Sequence, residues 1–447
     1  MTWLSLAALC GGCTSDPGDA GKATGGAAGG SGASGGDGGR GSGTPGGCGD
    51  PNGYCDCDEG YYHANHDYYC DPWTVCEGDE VTINVPNDLE DRVCARVEFV
   101  DQFGTADRDT ATALAANPDG NLCVSGTRST GPAGAVRSVG AYVRKYGPDG
   151  AVLWTQRFEG DGAEVTDVAI DAAGNCYSAG LSAQPESGDG AWFVRKHTAT
   201  GAVDWEVTGS TAAHAPGQVA VDLDGNVFAS FVTRSPGATS APQHTELMKF
   251  DPTGELSWSA SVGVDDLAST VFALSGGEAM VVRSTGQGTA LDQYATTVHV
   301  TRLTEAGAVS WERGYKAYQV FKVKDIAVGP SGDAFLAGSS TNSDTGTVFK
   351  LDPGGNGAAF SATSDLLAQI RSGDDGSVWL RGANGISAWT GAGEGLYGLA
   401  AYNLPIQIRD FAPIPGFVVL VGEPTKPLAG QTDQGMGDAV VLKLRVD

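Results

Sequence analysis

The stretch that decides the fold is Ala111–Trp154, because the chain repeats its order of motifs. Its first half reads Ala113-Leu-Ala, Asn117-Pro-Asp-Gly-Asn and Leu122-Cys-Val-Ser-Gly, and its second half reads Tyr142-Val-Arg-Lys-Tyr, Pro148-Asp-Gly and Val152-Leu-Trp. Short runs of small and apolar residues broken by Asp-Gly turns are typical of short antiparallel strands. The same order returns at a period of about 50 residues, which predicts a propeller or a similar array.

The repeats can be followed along the chain by their turn glycines and by a tryptophan. The turn of the first half falls at seven sites: Gly120, Gly174, Gly225, Gly276–Gly277, Gly332, Gly376 and Gly416. The second half ends on a Gly-x-x-x-Trp spacing, at Gly150/Trp154, Gly201/Trp205, Gly254/Trp258 and Gly307/Trp311. We expect these four tryptophans to pack between blades, since a large flat ring fills the wedge between twisted sheets.

The two ends of the repeat region complement each other. The last unit stops at its third strand, Val441-Leu-Lys-Leu, whereas Val97–Gly104 precedes the first complete unit and has the pattern of a fourth strand. Pairing the two segments would leave no long unpaired edge, which antiparallel all-β folds avoid. The prediction is an all-β, seven-bladed propeller over residues 95–447, with its last blade shared between the two ends.

The units resemble a bacterial β-propeller repeat family that carries Asp-x-x-Gly-Asn-x-Tyr-x-x-Gly and Lys-x-Asp-x-x-Gly-x-x-x-Trp and often occurs on lipoproteins. That resemblance implies the fold and no particular activity, because propellers host many functions. The Gly-x-x-x-Trp spacing also resembles the tryptophan-docking repeats of quinoprotein dehydrogenases. Such enzymes usually have paired adjacent cysteines, which this sequence lacks, so packing is the favoured role of the tryptophans and no cofactor is expected.

The composition limits the classes of partner. The chain has 447 residues, a formal net charge of -27 and 68 glycines. This acidity argues against nucleic acid and anionic membrane surfaces as partners, because both require basic patches. Six of the ten cysteines lie between Cys48 and Cys94, which favours a disulfide framework in an exported protein.

The N-terminal region has the pattern of a lipoprotein. Residues 1–12 contain a short apolar run like the end of a truncated signal peptide, and Cys13 resembles the lipidation cysteine of bacterial lipoproteins. The alternatives are an ordinary signal peptide or a start upstream of Met1. Thr14 in place of an Asp favours an outer membrane. Residues 13–47 are rich in Gly and Ser and predict a disordered tether.

Residues 48–94 predict a small cysteine-rich module. The run Cys55-Asp-Cys-Asp-Glu-Gly-Tyr, followed by Cys70, resembles the end of an EGF-like domain. The run Cys70-Asp-Pro-Trp-Thr-Val-Cys, with Asp91-Arg-Val-Cys after it, resembles a TNF-receptor-type repeat. The resemblance implies a Cys57–Cys70 pair. A zinc site formed by Cys55, Cys57, His63 and His66 is the alternative to disulfides. The cysteines expected to form disulfides are Cys48, Cys55, Cys57, Cys70, Cys76 and Cys94.

Three features of the repeats admit both a structural and a functional interpretation. Asp222-Leu-Asp-Gly-Asn suggests calcium, but Asp-Gly and Gly-Asn also suit hairpin turns, and we favour the turn. The recurring Lys145, Lys196, Lys249 and Lys350 predict a solvated strand face. Cys123 and Cys176 differ by one residue in alignment, which places them on opposite sheet faces and predicts buried free thiols.

No catalytic constellation can be argued from spacing, since His197, His214, His244 and His299 occupy non-equivalent places. The leading hypothesis is therefore a non-enzymatic, monomeric outer-membrane lipoprotein, exposed at the cell surface, whose propeller binds a protein or a glycan. The alternatives are a propeller enzyme, either quinone-dependent or glycan-active, and a periplasmic outer-membrane assembly scaffold. Acidic or histidine side chains converging on the central channel would favour the enzyme.

Overall fold

The computed structural model describes residues 61–62, 71–72, 74–76, 80–82, 93–131, 137–160, 162–182, 191–209, 217–234, 243–263, 266–286, 296–316, 321–329, 331–340, 346–363, 369–373, 375–382, 385–400, 404–428, 430–435 and 437–446. This part of the chain is built of strands and turns. It contains no helix long and apolar enough to cross a membrane. The predicted signal, Cys13, the tether, His63, His66 and the cysteines at 48, 55, 57 and 70 lie outside it.

Four strands precede the first complete blade. β1 (Tyr61–Tyr62) pairs with β2 (Asp71–Pro72), and β3 (Glu80–Thr82) pairs with the beginning of β4 (Cys94–Phe103). A disulfide joins Cys76 to Cys94 beside this second pair.

The next 24 strands form six four-stranded antiparallel sheets, each of consecutive strands. Blades 1 to 3 comprise β5 (Arg108–Ala116), β6 (Leu122–Thr130), β7 (Arg137–Tyr146), β8 (Val152–Glu159); β9 (Glu164–Ile170), β10 (Cys176–Leu181), β11 (Trp192–His197), β12 (Val203–Gly209); and β13 (Gln218–Val221), β14 (Val227–Arg234), β15 (Gln243–Phe250), β16 (Leu256–Val262). Blades 4 to 6 comprise β17 (Asp266–Ala273), β18 (Ala279–Gly286), β19 (Thr296–Leu303), β20 (Val309–Lys316); β21 (Phe321–Val328), β22 (Ala334–Ser340), β23 (Gly346–Leu351), β24 (Gly357–Thr363); and β25 (Gln369–Ser372), β26 (Val378–Arg381), β27 (Gly385–Trp389), β28 (Gly395–Ala400).

The seventh blade closes the ring with strands from both ends of the chain. β29 (Ile406–Ile414), β30 (Phe417–Pro424) and β31 (Ala439–Arg445) supply its first three strands, and β4 supplies the fourth. Leu442 lies opposite Val100 and Lys443 opposite Phe99 in this pairing. The predicted seven-bladed propeller and its shared last blade are therefore confirmed.

The core consists of separate apolar layers, each lying between two neighbouring blades. Leu122 and Val124 pack with Val419 and Val441 of blade 7. Cys123, which lies between them in sequence, packs instead with Val165 of blade 2. Each sheet therefore buries both of its faces, one against the preceding blade and one against the following blade, so consecutive residues of a strand belong to different layers.

This layering corrects the prediction for Cys123 and Cys176, which form a disulfide and are not free thiols. Their side chains do point to opposite faces of their respective sheets, as the alignment predicts. However, the blades stack front to back, so the forward face of blade 1 meets the rear face of blade 2. Two residues on opposite faces of their own sheets, one on the forward face of blade 1 and one on the rear face of blade 2, therefore lie in the same interface.

Removing this bridge should destabilise the ring. The disulfide joins residues 53 apart in sequence, and a loop of this size corresponds to about 4 kcal/mol of stability in the chain-entropy treatment. We expect the double variant Cys123→Ala/Cys176→Ala to lose about that much free energy of unfolding in urea under non-reducing conditions. Reduced wild type should lose at least as much, because reduction also opens the Cys76–Cys94 bridge, and an unchanged midpoint in the double variant would contradict the prediction.

Candidate functional site

The two faces of the ring differ in the regularity of their connections. On one face, here called the turn face, the first two strands of blades 1 to 6 are joined by five residues each, at 117–121, 171–175, 222–226, 274–278, 329–333 and 373–377. On the opposite face, here called the loop face, the second and third strands are joined by segments of different lengths, at 131–136, 182–191, 235–242, 287–295, 341–345, 382–384 and 425–438.

Asp222, the residue considered for calcium, belongs to the regular turn face. Its Oδ1 accepts hydrogen bonds from the N–H groups of Asp224 and Asn226 at 2.9 and 2.8 Å. Its Oδ2 accepts one from the Asn226 amide at 2.8 Å. The carboxylate thus closes its own turn, and Gly225 supplies the positive φ of 82° that the turn requires.

The four predicted tryptophans lie at the blade interfaces, near the turn face. The indole N–H of Trp154 donates to the carbonyl of Ala199, that of Trp205 to Pro252, and that of Trp258 to Glu305, at 2.8 to 3.2 Å. Each acceptor lies in the turn between the third and fourth strands of the next blade. The rings pack on the glycines of those turns, where a Cβ atom would approach ring carbons to 3.0 Å or less: Gly201 on Trp154, Gly254 on Trp205, Gly307 on Trp258 and Gly355 on Trp311.

Phe99 takes the corresponding place in blade 7. It lies opposite Lys443, as Trp154 lies opposite Lys145, and its ring covers Gly150 of blade 1. A phenyl ring fills the wedge but has no N–H to donate. The sequence search for Gly-x-x-x-Trp could not find this residue, since β4 is far from the rest of its blade in sequence.

The recurring lysines do not form a solvated face, which corrects the prediction. Lys145 and Lys249 are buried, and Lys249 Nζ donates to the carbonyls of Gly277 and Glu305 in blade 4, at 3.1 and 3.3 Å. Lys196, Lys350 and Lys443 likewise donate to carbonyls of the following blade. The prediction failed because the third strand is covered on both sides, a property of the ring and not of a single sheet.

Lys249 and Lys350 should contribute differently to the free energy of unfolding, because their side chains differ in exposure to solvent. Lys249→Met would remove the charged donor from the buried Gly277 carbonyl and from the partly buried Glu305 carbonyl, and we expect a loss of about 2–3 kcal/mol. Lys350→Met should lose less than about 1 kcal/mol, because its side chain is 35% exposed and water can replace it. Urea unfolding at pH 7 measures both, and equal losses would contradict the interpretation.

The innermost strands carry a second set of contacts between blades, which the sequence analysis missed. Asp167 Oδ2 accepts the N–H of Val219 at 2.9 Å, and Asp410 Oδ2 accepts that of Leu114 at 2.8 Å. Asp325 and Gln218 make the same contact with Ile370 and Val271. The sequence does contain a signal for these residues. Each of them directly precedes the short apolar run of the first strand, which leads to a turn on the turn face.

Arg371 connects two of these carboxylates at the central channel. It donates to Asp410 Oδ1 at 2.8 Å and also pairs with Asp325. Burial raises the pKa of Asp410 and raises that of Asp167 to about 7, although hydrogen bonds from main-chain N–H groups oppose the effect. Acidic side chains therefore do converge on the channel, but each is bonded to backbone, and Arg371 neutralises part of their charge.

The histidines that the structure describes lie away from this channel. His197, His244 and His299 are on β11, β15 and β19, the third strands of their blades. His197 is completely buried between blades 1 and 2, with ring centroids 5.4 Å from Trp154 and 6.2 Å from Phe158. Burial lowers its pKa to about 4.

His197 should make the fold sensitive to acid. The folded state holds the imidazole neutral, whereas the unfolded chain protonates it below about pH 6.5, so stability is present above that pH and is lost as the pH falls towards 4. The loss should reach about 3 kcal/mol. We expect His197→Phe, which copies Phe250 at the equivalent position of blade 3, to remove this part of the loss. Unfolding curves from pH 7 to 4 measure it, and parallel pH profiles for both proteins would refute the assignment.

A small cavity of about 210 Å³ opens between blades 1 and 2, beside Phe158, Phe193, Arg195 and Glu206. Arg195 stacks over Phe158 at 4.3 Å and pairs with Glu206, so its charge is already matched. The cavity is below the usual range for small-molecule sites. In the described ranges, no three His, Cys, Asp or Glu residues group closely enough to hold a metal ion.

Comparisons with known proteins agree with this fold. No protein-family model matches the chain, and no curated protein does. An oligogalacturonate lyase in complex with manganese is similar at a TM-score of 0.50 and 10% identity, covering 83% of this chain and 98% of the other. A virginiamycin B lyase from Staphylococcus aureus has a TM-score of 0.48 and 11% identity, covering 78% and 99%. The β-propeller domain of the trilobed protease from Pyrococcus furiosus has a TM-score of 0.47 and 12% identity, covering 76% and 94%.

Likeness at this level of identity concerns the fold alone. The protein is an all-β, seven-bladed propeller, and the oligogalacturonate lyase is a structure of similar fold. Its inner and interface side chains, described above, connect one blade to the next.

Proposed function

We propose that the chain is a non-enzymatic binding scaffold of the cell surface, held by a lipid on Cys13, that presents its loop face to a protein or glycan partner. The observation that carries the proposal is the difference between the faces. A face whose connections are uniform serves the fold, whereas connections that vary in length from blade to blade are where binding surfaces are usually built.

The position at which the N-terminal part of the chain joins the propeller supports the loop face as the binding face. β4 begins at the turn face, and the residues that precede its pairing with β31, Cys94 to Arg96, pair with β3 and carry the Cys76–Cys94 disulfide. The described N-terminal strands therefore join the propeller at the turn face, opposite the proposed binding face.

The state of the inner carboxylates supports binding over catalysis. A general acid or base needs a carboxyl group that can reach a substrate. Asp325 and Asp410 are paired with Arg371 and with main-chain N–H groups. Asp167, whose pKa is about 7, is the feature that favours the second candidate, a glycan-active enzyme.

Specific cleavage on intact cells tests the orientation. A protease recognition sequence is inserted at 235–242 on the loop face, and a matched one at 222–226 on the turn face of the same blade, since that turn is closed by its own Asp222. We expect rapid cleavage at the first site and slow cleavage at the second, while Cys13→Ser should release the protein from the membrane fraction. Cleavage of both sites only after lysis would refute surface exposure and favour the periplasmic scaffold.

The enzyme alternative has its own test. The full chain is incubated with a panel of acidic and neutral glycans, and with a quinone plus calcium and an alcohol substrate. We expect binding without turnover. Turnover that disappears in Asp167→Asn would overturn the non-enzymatic proposal.

A further inference from the structure

The closure of the ring brings two buried carboxylates together over one glycine. Asp438 precedes β31 and Asp109 is the second residue of β5; their exposed fractions are 0% and 5%. A Cβ atom built on Gly104, which follows β4, would lie 2.3 Å from Asp438 Oδ1 and 3.4 Å from Asp109 Oδ2. The two carboxylate oxygens therefore face the same small space, which only glycine leaves open.

One of these oxygens has no hydrogen-bond donor in the part of the chain that the structure describes. Asp438 Oδ2 accepts from the Gln102 amide at 2.6 Å and from the N–H of Gln434 at 3.0 Å. Asp438 Oδ1 is fully buried and accepts no bond. A buried anionic oxygen without a donor is costly, and a second carboxylate beside it increases the cost.

The nearby basic residue is directed elsewhere. Arg108 precedes Asp109, but its guanidinium pairs with Glu423. Asp109 Oδ2 accepts from the N–H and hydroxyl of Thr105, both at 2.7 Å. These bonds fix the Asp109 carboxylate in place, yet they supply no full positive charge to the pair.

We propose that Asp109 and Asp438 bind one calcium ion at the closure of the propeller. Calcium takes oxygen ligands in flexible geometry, and it accepts main-chain carbonyls and water besides carboxylates. With two carboxylates the affinity falls in the range of extracellular modules, with a dissociation constant of about 10⁻⁴ to 10⁻³ M. Magnesium fits less well, because it demands a strict octahedral geometry.

The bound ion would connect three separate segments of the chain. Gly104 follows the strand supplied by the N-terminal part, Asp109 lies near the start of blade 1, and Asp438 directly precedes the last strand. Asp109 N–H already donates to the carbonyl of Gly437 at 2.8 Å, so the same residues hold the segments together through the backbone. The site thus gives calcium a role in ring closure.

The test compares Asp438→Asn with wild type in the full chain. The asparagine keeps an oxygen for Gln102 and Gln434 and turns an N–H donor towards Asp109, so the variant should fold without the ion. In EDTA we expect it to unfold at or above the wild-type temperature. Calcium at about 5 mM should raise the wild-type Tm by about 1–3 °C and leave the variant unchanged.

Two controls distinguish calcium binding at this site from general screening of negative charge in a very acidic protein. Asp222→Asn removes a carboxylate that closes its own turn and should keep the full calcium response, and magnesium at equal ionic strength should produce a smaller shift. Calorimetric titration should find one site per chain in wild type and none in Asp438→Asn.

Equal calcium shifts in wild type and Asp438→Asn would overturn the proposal. The absence of a calcium shift in the wild type would overturn it as well.

Discussion

The structure depends on hydrogen bonds that run from a side chain of one blade to the backbone of the next. The strands of each four-stranded sheet pair with one another, but this pairing does not fix the position of the neighbouring sheet. Trp258 and Lys249 bond carbonyls near the turn face, while Asp167 and Asp410 bond N–H groups at the inner strands. Together with the apolar layers, these directional bonds determine how one blade sits on another.

The same constraint explains why the acidic channel is not evidence of catalysis by itself. An inner strand has a β-bulge where its pairing with the second strand shifts, as at Ile408/Asp410 and Val323/Asp325. A carboxylate placed there reaches the next blade's N–H group and fixes the distance between two inner strands. Arg371 then offsets the charge that Asp325 and Asp410 bring together.

The sequence was sufficient for features that repeat and insufficient for features that arise between repeats. The period, the turn glycines and the incomplete last unit predicted seven blades and a shared strand, because each is a local pattern. The Cys123–Cys176 bridge and the burial of Lys249 depend on how one sheet faces the next, which a pattern within one unit does not contain. Asp109 and Asp438 are 329 residues apart in sequence, and only the closure of the ring brings them together.

The shared blade also decides how the molecule responds to mechanical force. A pull from the N-terminal side enters at Cys94 and runs along the axis of β4, whose hydrogen bonds to β31 lie across that direction. The force therefore shears all of these bonds at once and does not unzip them one by one. Tension applied to this end of the chain is therefore borne by the closure between β4 and β31, which resists until the whole strand slides.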